Sequence, residues 1–237
     1  MRVIVIIACV TLFSYSLFAE EKVSLVERLG FAKEAQVLII NADDFGMNHA
    51  TNKGTERVLK AGAVTSSTIM VPCPWFLEAV DFARKNPQAN LGVHTTLTSE
   101  WGKYKWGPVS GCSEVPGLCD EMGYFFEDVF SIYGIGAIDE AEREVRAQVK
   151  KALDAGVDIT HIDSHMGAMQ YSPEYFERFI RIAADLNLPC RLAGRDILEP
   201  LGVAHLLDLA AELNVLGPEV LYMGDPSSLE ETESFFK

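Results

Sequence analysis

Positive charge is scarce in this 237-residue chain: 20 Lys and Arg stand against 34 Asp and Glu, a formal net charge of −14. Phosphate backbones and anionic lipid surfaces are held by clustered Lys and Arg. The net field therefore argues against nucleic acid and other polyanionic partners and leaves neutral or cationic ligands. Cysteine is sparse as well. There are five, none in a Cys-x-x-Cys pair, which argues against a cysteine zinc site. No apolar run reaches the roughly twenty residues that a membrane-spanning helix wants, and there are no internal repeats or low-complexity tracts. A hydrophobic share of 49% with 23% charged residues excludes disorder for the bulk of the chain. The length suits one domain, or two small ones at most.

Arg2 and the apolar run Val3–Phe13, followed by Ser14 to Ala19, have the pattern of a secretory signal cleaved after Ala19. Ser14, Tyr15 and Ser16 cut the run short of a membrane anchor, and Leu17 is bulkier than the small residue usual three positions before a cleavage site. The expectation is a protein exported to the periplasm or the exterior, without stable membrane insertion after cleavage, whose residues 20–237 form a single domain. Its oligomeric state is not legible. Four cysteines would remain, and Cys112 and Cys119 lie in a Gly- and Pro-rich loop. They read either as a loop-closing disulfide of an exported protein or as two free thiols.

The rest of the chain alternates strand-like and helix-like segments. Val37–Ile40 reads as a buried parallel strand. Residues 48–61 read as a helix with Val58, Leu59 and Ala61 toward a core and Gly62 as its C-terminal cap. Val64–Val71 is strand-like. Pro74 opens a helix carried by Phe76, Leu77, Val80 and Phe82, and Leu91–Leu97 is the third strand. Asp139–Ala155 reads as a helix ending at Gly156, Ile159–His165 as a strand, and Pro173 starts a helix with Tyr175, Phe176, Phe179, Ile180 and Ile182. Cys190–Ala193 reads as a short strand, Leu201–Leu213 as a helix and Val220–Met223 as a last strand. Alternating βα units imply a parallel α/β sheet with right-handed crossovers. An open doubly wound sheet and a (β/α) barrel both fit, and in either the function sits at the C-terminal strand ends.

Three clusters fall at such ends. Asn41-Ala42-Asp43-Asp44-Phe45-Gly46 follows the first expected strand, and adjacent acids there are costly without a cation or protons. The alternative is Asp44 capping the next helix. His94 lies inside an apolar strand, where a packed core histidine is the simpler reading. His161, Asp163 and His165 share one strand face, because side chains alternate with period two. A carboxylate with two imidazoles is a first-row metal set that leaves positions open for water. A bound ion lowers the pKa of its water, toward about 7 for zinc, and a second carboxylate can act as general base. The residues alone suggest a mononuclear metal hydrolase.

The blocks Asn41–Asn48, Gly92–Thr98 and Thr160–His165, in this order, resemble the YdjC-like (ChbG-type) carbohydrate deacetylase family. The resemblance implies a parallel (β/α) barrel-like fold and metal-dependent removal of acetyl groups from N-acetylated sugars. It implies that Asp44, His94 and His165 hold one divalent ion, magnesium or zinc, which sequence does not distinguish, and that Asp43 is the base. Asp163, deeper on the same strand face, would orient a ligand histidine. His161 matches the motif without being expected to ligate.

The chain departs from the family pattern twice. Met166-Gly167-Ala168-Met169 stands where the family carries further histidines. The only later histidine is His205, in an expected helix, whereas the family carries a late strand whose histidine could act as general acid. A barrel incomplete at its C-terminus is expected on that ground. A catalytically weak carbohydrate-binding relic is the alternative to an active deacetylase. Residues 99–137 break the βα rhythm and hold Trp101, Tyr104, Trp106, Tyr124, Phe125 and Phe126. Trp101 and Trp106 are the candidate platforms for a sugar ring, against the alternative of a loop packed by its own rings.

Overall fold

The structure, a computed structural model, describes residues 24–135, 137–218 and 221. The expected signal segment, residues 1–19, lies outside them, as does all but residue 221 of the expected last strand. The chain divides after Leu38 into two compact units. Among its described residues the first holds one short helix, α1 (Leu25–Arg28), closed by a capping box. Ser24 Oγ accepts from Glu27 N–H at 3.3 Å and Ser24 N–H donates to Glu27 Oε2 at 3.1 Å.

The second unit is built on four parallel strands, β1 (Asn41–Phe45), β2 (Ser66–Ile69), β3 (Leu91–Thr95) and β4 (Ile159–Ser164), in the order β1-β2-β3-β4. Helices connect consecutive strands. A doubly wound sheet reverses its strand order at a switch point, whereas a barrel advances strand by strand in one direction. The order here advances without reversal, so the parallel α/β fold is barrel-like.

The first strand lies four residues later than its hydrophobicity suggests. The Thr65 and Ser66 N–H groups both donate to the Ile40 carbonyl, at 2.8 and 3.3 Å, and the ladder continues with Asn41 opposite Ser66. Val37–Ile40 takes no strand pairing, and Ile39 is exposed. The partner strand decides this, because β2 begins opposite Asn41 and leaves the apolar run beyond the ladder. The acidic motif is therefore the strand itself.

The polar character of β1 and β2 is matched by hydrogen bonds. Ser66 Oγ donates to Asn41 Oδ1 and Ser67 Oγ to the Ala42 carbonyl, each at 2.6 Å. Buried hydroxyls satisfied in this way avoid the roughly 1–3 kcal/mol cost of an unpaired polar group.

Helix α2 (His49–Lys60) is capped by Asn48, whose side chain accepts from Thr51 N–H at 3.0 Å. The expected core face is displaced. Asn52 and Thr55 are buried, Val58 and Leu59 are half-buried, and Ala61 is exposed. The reason is Asn52, which accepts from Gly46 N–H at 2.6 Å and donates to Glu78 at 2.8 Å, so the helix turns a polar residue inward to hold the turn after β1. Helix α3 (Phe76–Lys85) buries Phe76, Ala79, Val80, Phe82 and Ala83, an apolar stripe at helical spacing. Phe82 meets Phe45 edge to face at 5.5 Å.

The irregular segment contains a helix that sequence reading missed, α4 (Val129–Ile135), which buries Val129 and Ile132. Its Gly- and aromatic-rich surroundings obscure the short periodicity. Cys112 and Cys119 are joined in a disulfide, while Cys73 and Cys190 are free and buried. Helices α5 (Ile138–Asp154) and α6 (Pro173–Leu186) cover the sheet with Val145, Val149, Phe176, Phe179 and Ile180. Cys190–Ala193 is not a strand. It makes a single parallel bridge, Cys190 to Ile162. A short helix α7 (Arg195–Leu198) follows, and the expected helix from Leu201 begins only at His205, as α8 (His205–Glu212).

Glu144 and Gln148 are fully buried on α5. The Gln148 amide accepts from Thr96 N–H at 2.9 Å and donates to the Thr96 carbonyl at 2.7 Å and to Glu144 at 2.8 Å. Glu144 in turn accepts from Val109 and Ser110 N–H at 2.8 and 2.9 Å. This pair ties the end of β3 and the following loop to one helix. Gln148→Leu leaves both Thr96 backbone groups unpaired and should cost about 2–4 kcal/mol by urea denaturation; a loss below about 1 kcal/mol would show that water or a shifted side chain replaces the amide.

Candidate functional site

Strand pairing brings the three clusters together. His94 and Asp163 are register partners on β3 and β4. His165 follows β4 in a single 3₁₀ turn, His165–Gly167. Asp43 and Asp44 would leave a regular strand on opposite faces. Asp44 instead has φ 63°, in the left-handed region, and the strand register shifts between Ala42 and Phe45. Aspartate tolerates that conformation better than most residues. The turn is secured by Gly46 (φ 94°), whose N–H is taken by Asn52, and by Met47 N–H on the Asp44 carbonyl at 3.1 Å. Both acids reach the same pocket as a result.

Asp44 Oδ1 lies 3.4 Å from His94 Nε2 and 3.3 Å from His165 Nδ1, and these two ring nitrogens are 3.2 Å apart. The oxygen is buried and takes no well-aligned hydrogen bond. Ligand bonds of about 2.0–2.1 Å in tetrahedral geometry set donor atoms about 3.3–3.4 Å apart. The triangle matches that spacing, and a buried acceptor facing two ring nitrogens fits a divalent ion.

Each imidazole faces a carboxylate on its far side. His94 Nδ1 is 2.5 Å from Asp163 Oδ1, and Thr68 Oγ1 donates to Asp163 Oδ2 at 3.0 Å. His165 Nε2 faces both Glu100 oxygens at 3.2 Å. In the neutral ring a nitrogen that donates to a carboxylate leaves the other nitrogen bare, so Asp163 and Glu100 favour the tautomers whose lone pairs face Asp44. Asp163 is buried and Glu100 is half-buried at the rim.

Arg191 forms the other wall. Its Nη1 and Nη2 donate to Asp43 Oδ1 and Oδ2 at 3.0 and 2.9 Å, and Nη2 lies 2.7 Å from Asp163 Oδ2. Asn41 Nδ2 donates to Asp43 Oδ1 at 2.6 Å. Burial raises the Asp43 pKa, but the nearby His94 and Arg191 outweigh it and hold the carboxyl below its ordinary value. For Asp44 burial is likewise overcome by the two imidazoles, which hold it well below the usual carboxylate range. Burial opposes protonation of His94 and His165, yet Asp163 raises the first, and Asp44 and Glu100 raise the second.

Of the residues expected at the site, Asp43, Asp44, His94, Asp163 and His165 share one pocket. His161 lies apart from the three donor atoms. Its Nδ1 is 2.8 Å from Thr160 Oγ1 and its ring packs on Gly92, where a Cβ would come within 2.8 Å of it. Burial lowers its pKa. The expectation that Trp106 offers a stacking face is corrected. Trp106 is buried, and its indole N–H donates to the Thr98 carbonyl at 2.7 Å, so its rings are spent on packing. Trp101 is 45% exposed. His205 is exposed on α8. Sequence reading missed Glu100 and Arg191. Glu100 stands just past a strand end, the same signal that marked Asp43 and Asp44, and Arg191 is the lone cation in an expected apolar strand.

A family model described as YdjC-like protein matches residues 37–226. A carbohydrate deacetylase of Thermoanaerobacter pseudethanolicus is 38% identical over 159 residues, which are 67% of this chain and 61% of that protein. A carbohydrate deacetylase of Brevibacillus brevis is 36% identical over 155 residues, 65% of this chain and 58% of that protein. A solved protein of Enterococcus faecalis V583, provisionally described as a cellobiose-phosphate cleavage protein, superposes with a TM-score of 0.72 at 32% identity, covering 84% of this chain and 73% of its own. The chain thus spans about three fifths of the length of these two deacetylases.

Asp44→Ala and His94→Ala should each abolish stoichiometric binding of a divalent ion by elemental analysis, because each removes one corner of the triangle. Asp163→Asn should keep the ion but weaken it by about 10–100-fold, the usual effect of losing a ligand's orienting partner. Full occupancy in His94→Ala would dismantle the ligand set.

Proposed function

The chain belongs to the YdjC-like family, and from that membership we propose that it is a metal-dependent hydrolase that removes acetyl groups from N-acetylated sugars or oligosaccharides. The observation that carries the reading is the buried Asp44 Oδ1, without a well-aligned hydrogen bond, facing two imidazole nitrogens at metal-ligand spacing, with a second carboxylate beside it. Asp44, His94 and His165 would hold the ion. When bound, a divalent cation supplies a Lewis acid that polarises the amide carbonyl and favours ionisation of water.

Asp43 supplies the proton acceptor. A carboxylate oxygen has two lone-pair sites. Oδ1 spends both, on Asn41 and Arg191, whereas Oδ2 spends one on Arg191. The free site on Oδ2 is the one that takes the proton of the attacking water, and the same atom then has a proton to return to the departing amine. Hydrogen bonding to Arg191 keeps Asp43 ionised and ready to accept.

Trp101 supports a sugar ligand. It is exposed on the loop after β3, edge-on to Tyr104 at 6.1 Å, and the Tyr104 hydroxyl donates to the Met47 carbonyl at 2.6 Å. A ring held on an anchored loop can stack on a pyranose face at little entropic cost. The Cys112–Cys119 disulfide on the same loop supports export to an oxidising compartment.

Acetate release from N,N′-diacetylchitobiose by the metal-loaded protein tests the reading. Asp43→Asn should lower kcat by about 10²–10⁴-fold with the ion retained, as expected for loss of a general base. Near-normal turnover would move the base elsewhere, and loss of the ion would make Asp43 a ligand. Trp101→Ala should raise KM more than it lowers kcat; an unchanged KM would place the sugar away from this ring.

A further inference from the structure

We propose that Arg191 is a positioning residue that acts as the built-in counter-ion of a second carboxylate site, limiting the pocket to one divalent ion and leaving Asp43 free to accept a proton. The inference extends the metal-hydrolase reading above and rests on the same pocket.

Two overlapping donor sets lie here. Ligand atoms of Asp44, His94 and His165 fall within 4.8 Å of one another, and so do those of Asp43, His94 and Asp163. His94 turns Nε2 toward Asp44 and Nδ1 toward Asp163, so with its Nδ1 proton on Asp163 it ligates only in the first set. The carboxylates of Asp43 and Asp163 remain to hold a cation, and they do hold one, the Arg191 guanidinium. Its planar fork grips both oxygens of Asp43 and one oxygen of Asp163. Bidentate pairing of this kind needs the guanidinium plane and is a property of Arg more than of Lys.

The backbone fixes this cation firmly. Arg191 N–H donates to the Ile162 carbonyl at 3.1 Å beside the Ile162–Cys190 bridge. Cys190 is buried and Arg191 is half-buried, with its head group among the acids.

Charge explains why the second position is filled in this way. Asp43, Asp44 and Asp163 bring three negative charges. One divalent ion on the first set and one guanidinium on the second balance these three with neutral imidazoles, and the fourth carboxylate, Glu100, lies half-buried at the rim against His165. A neutral residue at position 191 leaves an uncompensated carboxylate pair, which is costly when desolvated and attracts a second cation. A metal ion there would occupy the lone pair on Asp43 Oδ2 that the guanidinium leaves open.

Titration calorimetry with Mn²⁺ on wild type, Arg191→Lys, Arg191→Gln and Arg191→Gln/Asp43→Asn tests the proposal, with circular dichroism as the check on folding. The expected stoichiometry is one ion for wild type and Arg191→Lys, two for Arg191→Gln, and one again for the double variant. A single ion on folded Arg191→Gln, or two on the wild type with the second lost in the double variant, overturns it. If Arg191→Gln does not fold, the wild-type titration decides: saturation at one ion supports the proposal, and a second ion that depends on Asp43 overturns it. The counts do not rely on turnover. A wild type that binds one ion and releases no acetate refutes the hydrolase reading, and the counts still judge Arg191.

Discussion

Three donor atoms that converge on one point organise this protein. Asp44 Oδ1, His94 Nε2 and His165 Nδ1 lie within 3.2–3.4 Å of one another, and each imidazole faces Asp163 or Glu100 on its opposite side. Lone pairs held face to face repel unless a cation lies between them. The surroundings serve to hold that arrangement. Thr68 and Arg191 fix Asp163, Asn52 fixes the turn behind Asp44, and the buried hydroxyls of β2 satisfy β1. Ion binding and folding are coupled in such a site, since the unfolded chain has no preformed triangle to offer.

Three aspartates occupy one pocket and do three different things. Asp44 has an oxygen without a hydrogen bond and can ligate. Asp163 has both oxygens engaged and can only orient. Asp43 keeps one free lone pair beside a guanidinium and can accept a proton. Residue type does not separate these roles. Neighbours do, which is how enzymes assign opposite tasks to chemically identical groups.

Much of this was legible in the sequence. The βα alternation identified the parallel sheet, whereas period-two spacing does not explain the third cluster, because β4 ends at Ser164, His165 lies in the turn beyond it and His161 packs on Gly92. What failed did so for physical reasons. Hydrophobicity located the first strand at Val37–Ile40, but pairing with β2 determines where a parallel strand begins. Val58 and Leu59 suggested an apolar core face for α2, yet the turn at Gly46 required Asn52 inward. Trp106 and Trp101 look alike in a loop sequence, and only the Thr98 carbonyl distinguishes a structural ring from an accessible one. Glu100 and Arg191 act through partners 65 and 148 positions away, contacts that one sequence does not display.

The left-handed backbone at Asp44 shapes how this site could be lost in evolution. Most L-residues at φ 63° add about 1–2 kcal/mol of backbone strain, while Asn accepts the conformation nearly as well as Asp and has almost the same shape. Asp to Asn is also a single-nucleotide change. The route of least resistance from a metal-bearing to a metal-free descendant therefore runs through Asn at position 44. It would leave the turn, the sheet and the aromatic loop standing, so an Asn-Ala-Asp-Asn-Phe-Gly sequence would mark a lineage that kept the cleft and gave up the ion.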